Sequence, residues 1–126
     1  MWKSLFAAVL LSCAVPAVAA DEADDYSEFQ AKDPASSIER LYTICSSADK
    51  DLNLYCSGYI TAMLESMIAI GKQPLASEFG ICPPGPVSAA AGVQAFKNWA
   101  QTHRKEGGIT RYIGVAWALQ ETWPCS

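Results

Sequence analysis

The chain has 126 residues, of which 51% are hydrophobic and 17% are charged, and its formal net charge at pH 7 is −4. This length suits a single domain with a modest core. The acidic balance and the lack of a basic stripe argue against nucleic-acid binding, because phosphates are neutralised by clustered Lys and Arg side chains.

The first twenty residues have the pattern of a secretory signal peptide. Lys3 supplies an early positive charge, an apolar run extends from Leu5 to Val15, and small residues lead to a cleavage site after Ala19 or Ala20. Cleavage removes Lys3 and no acidic residue, so the net charge of the mature chain becomes −5. We expect export to the periplasm.

Two other interpretations of this segment stay open. A membrane anchor needs about 20 apolar residues, whereas this run is shorter, contains Pro16 and leads directly into the acidic stretch "DEADD". The stretch "LLSC" at 10–13 resembles a lipoprotein box in which Cys13 would carry the lipid. The signal peptide is favoured because "AVAA" lies at a better distance for cleavage.

Residues 21–33 are predicted to form a flexible acidic leader. Five of the thirteen acidic residues lie within 21–32, and few apolar residues accompany them. Such a composition buries too little apolar surface to fold by itself. A single helical domain is therefore expected over residues 34–126.

Two helices are predicted in the first half of this domain. The first covers 35–47, with Ser36 and Glu39 as a capping box and Ile38, Leu41, Tyr42 and Cys45 on one apolar face. The second covers about 51–71. Its apolar stripe is predicted to face the core and contains Leu52, Tyr55, Cys56, Tyr59, Ile60, Met63, Met67 and Ile70.

Two more helices are predicted in the second half. The third covers 88–104 with Ser88 as its N-cap, and its inner face is formed by Val93, Phe96, Ala100 and His103 beside Trp99. The fourth begins at Thr110 and ends before Pro124, with an inner face of Tyr112, Val115, Ala116, Leu119 and Trp123. No segment alternates like a strand. The predicted fold class is all-α, a compact bundle of about four helices.

Four cysteines remain after the signal peptide: Cys45, Cys56, Cys82 and Cys125. An even number in an exported domain indicates two disulfides. A zinc site is the alternative, but no C-x-x-C pair is present and the chain has a single histidine. Four cysteines allow three pairings. If consecutive helices alternate in direction, Cys45–Cys56 and Cys82–Cys125 are favoured, because the members of each pair then share one end of the bundle.

The sequence carries no recognisable catalytic motif. G-x-S-x-G, H-E-x-x-H and glycine-rich phosphate loops are missing from it. The lone His103 has no nucleophile at a recognisable spacing, and a bridged Cys56 has no thiolate. We therefore expect neither an enzyme nor a cofactor or metal site.

One face of the second helix suggests a contact with another protein. Gly58 and Ala62 are small and lie away from the apolar stripe, and Glu65 lies opposite Cys56. Small residues four apart let a second helix come close. A solvated charge at Glu65 and chance at Gly58 are the alternatives.

Four short motifs, in order, resemble the Rap/Tai immunity family of exported bacterial proteins. They are "CSGYITAMLE" at 56–65, "CPPGPVS" at 82–88, "WAQTHR" at 99–104 and "ALQETWPC" at 118–125. The family pattern has glycine where Ala62 and Pro86 stand, and proline where Arg104 stands. The similarity covers about residues 38–125.

This resemblance implies an all-helical periplasmic protein, often a dimer. Such a protein binds and sterically blocks a peptidoglycan amidase that a type VI secretion system delivers. The contact surface is then expected at Gly58, Ala62 and Glu65 and in the loop 103–108, which contributes His103, Arg104 and Lys105. A small acid-stress chaperone-like protein, or an accessory helical domain with no toxin partner, are the alternatives.

Titration of free thiols tests the cysteine assignment. The mature protein, denatured without reductant, is expected to react with no equivalent of a thiol reagent, because all four sulfurs are bridged. Two or more reactive thiols per chain contradict this prediction.

Overall fold

The computed structural model describes residues 26–126, so the predicted signal peptide and the start of the predicted leader lie outside it. Four α-helices are present: α1 (Ile38–Cys45), α2 (Lys50–Gly71), α3 (Ala89–Thr102) and α4 (Arg111–Thr122). Short 3-10 helices occupy Tyr26–Phe29, Pro34–Ser36, Ser77–Phe79 and Arg104–Glu106. Residues 26–126 form only isolated β-bridges and no strand. The all-α prediction is confirmed.

The start of α1 differs from the predicted capping box. The N-cap is Ser37, whose hydroxyl accepts a hydrogen bond from the backbone N–H of Arg40 at 3.2 Å. Asp33 caps the preceding 3-10 turn, and this turn contains Ser36. Because Ser36 belongs to that turn, the N-cap lies one residue later than predicted, and α1 begins at Ile38 rather than at residue 35. The N-cap predicted for the third helix, Ser88, is confirmed by its bond from the N–H of Ala91.

The long helix α2 contacts α1, α3 and α4. Its buried residues are Cys56, Ile60, Leu64 and Met67, which follow one row along the helix. Burying one side chain of this size stabilises a fold by about 1.5–3 kcal/mol. This row is therefore a large part of the core.

The predicted inner faces of α2 and α4 are wrong at their edges. Tyr55 on α2 and Tyr112 on α4 are 44% and 53% exposed, whereas Leu64, which the predicted stripe omits, is buried. Leu52 and Ile70, at the two ends of the stripe, are exposed as well. The apolar pattern of α2 is wider than the surface that the other helices cover, so its flank remains in solvent.

Close packing between helices takes place at two glycines. A Cβ atom at Gly92 of α3 would lie 2.5 Å from Leu64 Cδ1 and 2.9 Å from Ile60 Cγ2. One at Gly114 of α4 would collide with the side chain of Ile38. The absence of side chains at these points lets α3 approach α2 and α4 approach α1.

The end of α2 is held by the loop that follows it. The N–H of Ile81 donates to the carbonyl of Met67 at 3.0 Å. A Cβ atom at Gly80 would collide with the backbone of Gly71, and one at Gly71 would collide with the backbone of Ile81. The chain therefore returns across the last turn of α2 with two backbones in direct contact.

Two disulfides connect the elements, and the predicted pairing is confirmed. Cys45 at the end of α1 is bonded to Cys56 in α2, and Cys82 is bonded to Cys125 after α4. The second bridge spans 43 positions of sequence. Closing a loop of that length stabilises a fold by about 4 kcal/mol in the chain-entropy model.

Residues 29–31, which the sequence assigns to the leader, are in contact with the bundle. Both the backbone N–H and the hydroxyl of Thr110 donate to the carbonyl of Phe29, at 2.8 and 3.1 Å. The ring of Phe29 meets Trp117 edge-on, with centroids 5.9 Å apart. The N–H of Ala31 donates to the carbonyl of Gly108 at 2.9 Å. These contacts attach the segment to the start of α4.

Replacing Gly80 by Ala tests the backbone contact at the end of α2. Because the new methyl group meets backbone atoms that cannot rotate away, Gly80→Ala should lower the free energy of unfolding by at least about 2 kcal/mol. Gly85→Ala is the matched control, since a Cβ atom there meets nothing within 4 Å. Urea denaturation followed by circular dichroism measures both, and equal midpoints contradict the contact.

Candidate protein-binding site

The predicted contact residues of α2 lie together on its outer side. Gly58, Ala62 and Glu65 are all exposed, and their spacing of four and three residues places them on one helix face. A Cβ atom built on Gly58 meets nothing within 4 Å. No other element within residues 26–126 therefore covers this face at Gly58.

The outer face of α2 is unusually poor in charge. Between Asp51 and Lys72, Glu65 is the only charged residue of the helix. With 22 residues and a mean hydropathy of 1.2 in its most apolar window, α2 has the length and composition of a membrane span. Its buried row and its disulfide to α1 make it a core helix of this bundle. The apolar character reaches beyond the core side.

The second predicted group lies between α3 and α4. His103 follows the last residue of α3, and its ring stacks on Trp99 with centroids 4.2 Å apart. Its Nδ1 lies 2.8 Å from the carbonyl oxygen of Trp99, and its Nε2 lies 3.9 Å from a carboxylate oxygen of Glu121. His103 is 32% exposed and lies just beyond the end of α3, so it is placed at the edge of the predicted inner face, against Trp99.

Arg104 and Lys105 are exposed on the short turn that follows His103. Arg104 also borders a shallow cavity of about 100 Å³ between α1 and α3, beside Tyr42. Gln101 donates a hydrogen bond to the Tyr42 hydroxyl at 2.9 Å. This bond is the main cause of a lowered pKa of Tyr42, and Arg104 adds to the effect. The two predicted groups thus lie on different elements, the first on α2 and the second between α3 and α4.

The sequence prediction missed a third group, which joins α2 to α4. The Arg111 guanidinium lies 4.9 Å from the ring centroid of Tyr59 and 5.7 Å from that of Tyr55. The two tyrosine rings stack with centroids 6.3 Å apart. Burial raises the pKa of the Tyr59 hydroxyl, and the charge of Arg111 partly opposes this. The residues Tyr55, Tyr59, Arg111 and Tyr112 are called the tyrosine–arginine patch below.

The described residues show no arrangement for catalysis. The four cysteines in residues 26–126 are all bridged, and no three His, Cys, Asp or Glu side chains of this part of the chain are grouped to hold a metal ion. The nearest carboxylate to His103 is that of Glu121, which is 60% exposed. What the structure presents is a set of surfaces suited to protein contacts.

Comparison with known families matches residues 37–125 to the model of the Rap1a immunity proteins. The chain belongs to this family. Comparison with curated proteins gave no match, and comparison with solved structures gave none. The match includes all four α-helices and both disulfides of the Rap1a-family fold seen here. Membership implies an effector of a type VI secretion system as the protein partner, and proteins of this family are commonly periplasmic.

Replacing Gly58 by Ala in this Rap1a-family chain tests whether the outer face is free. Since the space around Gly58 is open, Gly58→Ala should raise the free energy of unfolding by about 0.5–1 kcal/mol through helix propensity alone. Gly92→Ala on α3 should lower it, because the methyl group meets Leu64 and Ile60. Thermal unfolding of both variants gives the comparison, and a destabilised Gly58→Ala protein contradicts a free face.

Proposed function

We propose that the chain is a periplasmic immunity protein that binds a peptidoglycan amidase effector and blocks its active site sterically, without catalysis. The observation that carries this proposal is the outer face of α2. Gly58, Ala62 and Glu65 are exposed there, and the described fold places no element of its own over Gly58. A family defined by immunity function supplies the kind of partner.

The geometry of α2 suits a rigid contact. The helix is about 33 Å long, given a rise of 1.5 Å per residue, and its opposite side is fixed by the buried row and by the Cys45–Cys56 bridge. A typical stable interface buries about 800 Å² on each partner. A helix of this length with adjoining residues from α4 offers a surface of that order, and little conformational freedom is lost when it binds.

The second predicted group lies apart from α2 and carries positive charge. His103, Arg104 and Lys105 form a basic turn on a chain whose net charge is negative. Arg104 and Lys105 are exposed and make no ion pair within the described residues. We assign this turn to the rim of the interface, where charges act on the association rate more than on the affinity.

The expected periplasmic location supports the same function. The expected signal peptide directs the chain to the periplasm, where the substrate of a peptidoglycan amidase is found. Disulfides such as Cys45–Cys56 and Cys82–Cys125 form and persist in that oxidising compartment. The toxin and its inhibitor would therefore meet where the damage occurs.

Inhibition of purified peptidoglycan amidase effectors of type VI secretion systems tests the proposal. The wild-type chain should abolish peptidoglycan cleavage at equimolar concentration. Ala62→Arg should weaken inhibition by about 100-fold, because a long charged side chain separates the two surfaces. Ala90→Arg, at an exposed position of α3, is the control.

Two outcomes of this assay count against the proposal. Lack of binding and inhibition by the wild-type chain at micromolar concentration contradicts the immunity function. Equal inhibition by Ala62→Arg and Ala90→Arg contradicts the placement of the contact on α2. Melting temperatures of the three proteins establish that each is folded.

A further inference from the structure

The tyrosine–arginine patch adjoins the outer face of α2. Tyr55 lies three residues before Gly58 and seven before Ala62, so all three fall along one side of the helix. Arg111 and Tyr112 add the first turn of α4 to this side. The patch therefore continues the proposed contact surface at the N-terminal end of α2.

The composition of the patch is that of a binding hot spot. Tyrosine and arginine are enriched among the residues that dominate interface energies, because they combine large apolar area with directed hydrogen bonding. Tyr55 and Tyr112 are exposed in spite of their size. Tyr55 stacks on Tyr59 on one side, yet 44% of it stays exposed, and 53% of Tyr112 is exposed.

The positive charge of Arg111 has no carboxylate partner within residues 26–126. The only ion pair at 4.0 Å or less in this part of the chain joins His103 to Glu121. Arg111 instead lies over the rings of Tyr55 and Tyr59, a cation–π contact that holds the guanidinium in place. Its N–H donors form a fork that matches the two oxygens of a carboxylate.

Within residues 26–126, α2 carries an acidic side chain just before the patch in sequence. Asp51 is exposed and stands one helical turn before Tyr55. It makes no contact with Arg111 at ion-pair distance. Charges separated by more than about 8 Å are largely screened from each other at physiological salt. A charged group of a partner that approaches the patch is therefore affected by Arg111 and Asp51 far more than by the net charge of the chain.

We infer that the tyrosine–arginine patch binds a carboxylate side chain of the effector, with the rings of Tyr55 and Tyr112 covering an adjacent apolar side chain. The partner segment is thus acidic and apolar. The inference rests on the proposed immunity function, and it adds the chemistry of the partner at one end of the interface. A single arginine with no basic neighbour in the patch disfavours a polyanion such as nucleic acid as the occupant.

Variants that remove a charge test this inference, because removal of the positive charge should weaken binding and removal of the negative charge should strengthen it. Calorimetry with an inactivated amidase effector that the wild-type chain inhibits should show affinity falling about tenfold for Arg111→Gln and less for Arg111→Lys. Asp51→Asn should tighten binding by about twofold, because it removes a nearby repulsive charge. The affinity of the wild-type chain should fall with added salt, and that of Arg111→Gln should fall less.

Failure of the inference is distinguishable from failure of the immunity function. If the wild-type chain binds the amidase and Arg111→Gln and Tyr112→Ala bind within twofold of it, the patch is not a carboxylate site, although the immunity function stands. If sedimentation shows a dimer that Tyr112→Ala dissociates, the occupant is a second copy and the inference is wrong.

A peptide probe decides the case in which the wild-type chain does not bind the amidase. Acetyl-Phe-Asp-Phe-amide should shift the Arg111 Nε–Hε and Tyr112 NMR signals at millimolar concentration, and acetyl-Phe-Asn-Phe-amide should not. A shift by the aspartate peptide alone supports the carboxylate site even without this amidase. Equal shifts by both peptides, or none, overturn it.

Discussion

The close approach of α3 to α2 at Gly92 is the constraint on which the bundle depends. With hydrogen in place of a side chain, Gly92 allows Leu64 and Ile60 of α2 to contact the backbone of α3. The buried row of α2 then lies against the other helices along its whole length. The Cys45–Cys56 bridge fixes one end of this row, and the loop at Gly80–Ile81 fixes the other. The inner side of α2 is thus occupied by contacts within the bundle.

With its inner side occupied in this way, α2 has its outer side free for another protein. A helix interior glycine costs about 1 kcal/mol relative to alanine, and at Gly58 no contact within residues 26–126 offsets that cost. By contrast, the glycines at 92 and 114 have evident packing roles. The fold therefore explains the small residues at these two positions of α3 and α4, but it does not explain Gly58 on the outer side of α2. We propose that the outer side of α2 binds the protein partner that membership of an immunity family implies.

Helix positions and fold class could be predicted from the sequence because capping residues and helical spacing are local features. The even number of cysteines indicated two disulfides, but their pairing followed only from the added assumption that consecutive helices alternate in direction. The width of the buried face could not be predicted in the same way. Tyr55 and Tyr112 satisfy the apolar spacing, but whether a neighbouring helix reaches them depends on crossing geometry that the spacing does not contain. The contact of Phe29 with Thr110 joins residues about 80 positions apart, and no local pattern signals it.

The candidate site was predicted in part for similar reasons. Gly58, Ala62 and Glu65 lie on one exposed face, as helical spacing requires. Arg111 was missed because its role arises only when α4 places it over two tyrosines of α2. An arginine isolated in sequence gives no sign of such a contact. Whether these residues touch an effector remains a proposal that rests on their exposure and on the family.

Cross-saturation NMR tests the central claim, that the outer side of α2 is the effector-binding surface, most directly. The deuterated chain is mixed with a protonated amidase effector, and saturation of the effector protons then attenuates only the amide signals of residues at the interface. The account predicts attenuation at Gly58 and Ala62 that extends to Tyr55 and Tyr112. Attenuation centred instead on the exposed side chains of Leu75 and Phe79, in the loop after α2, would contradict it.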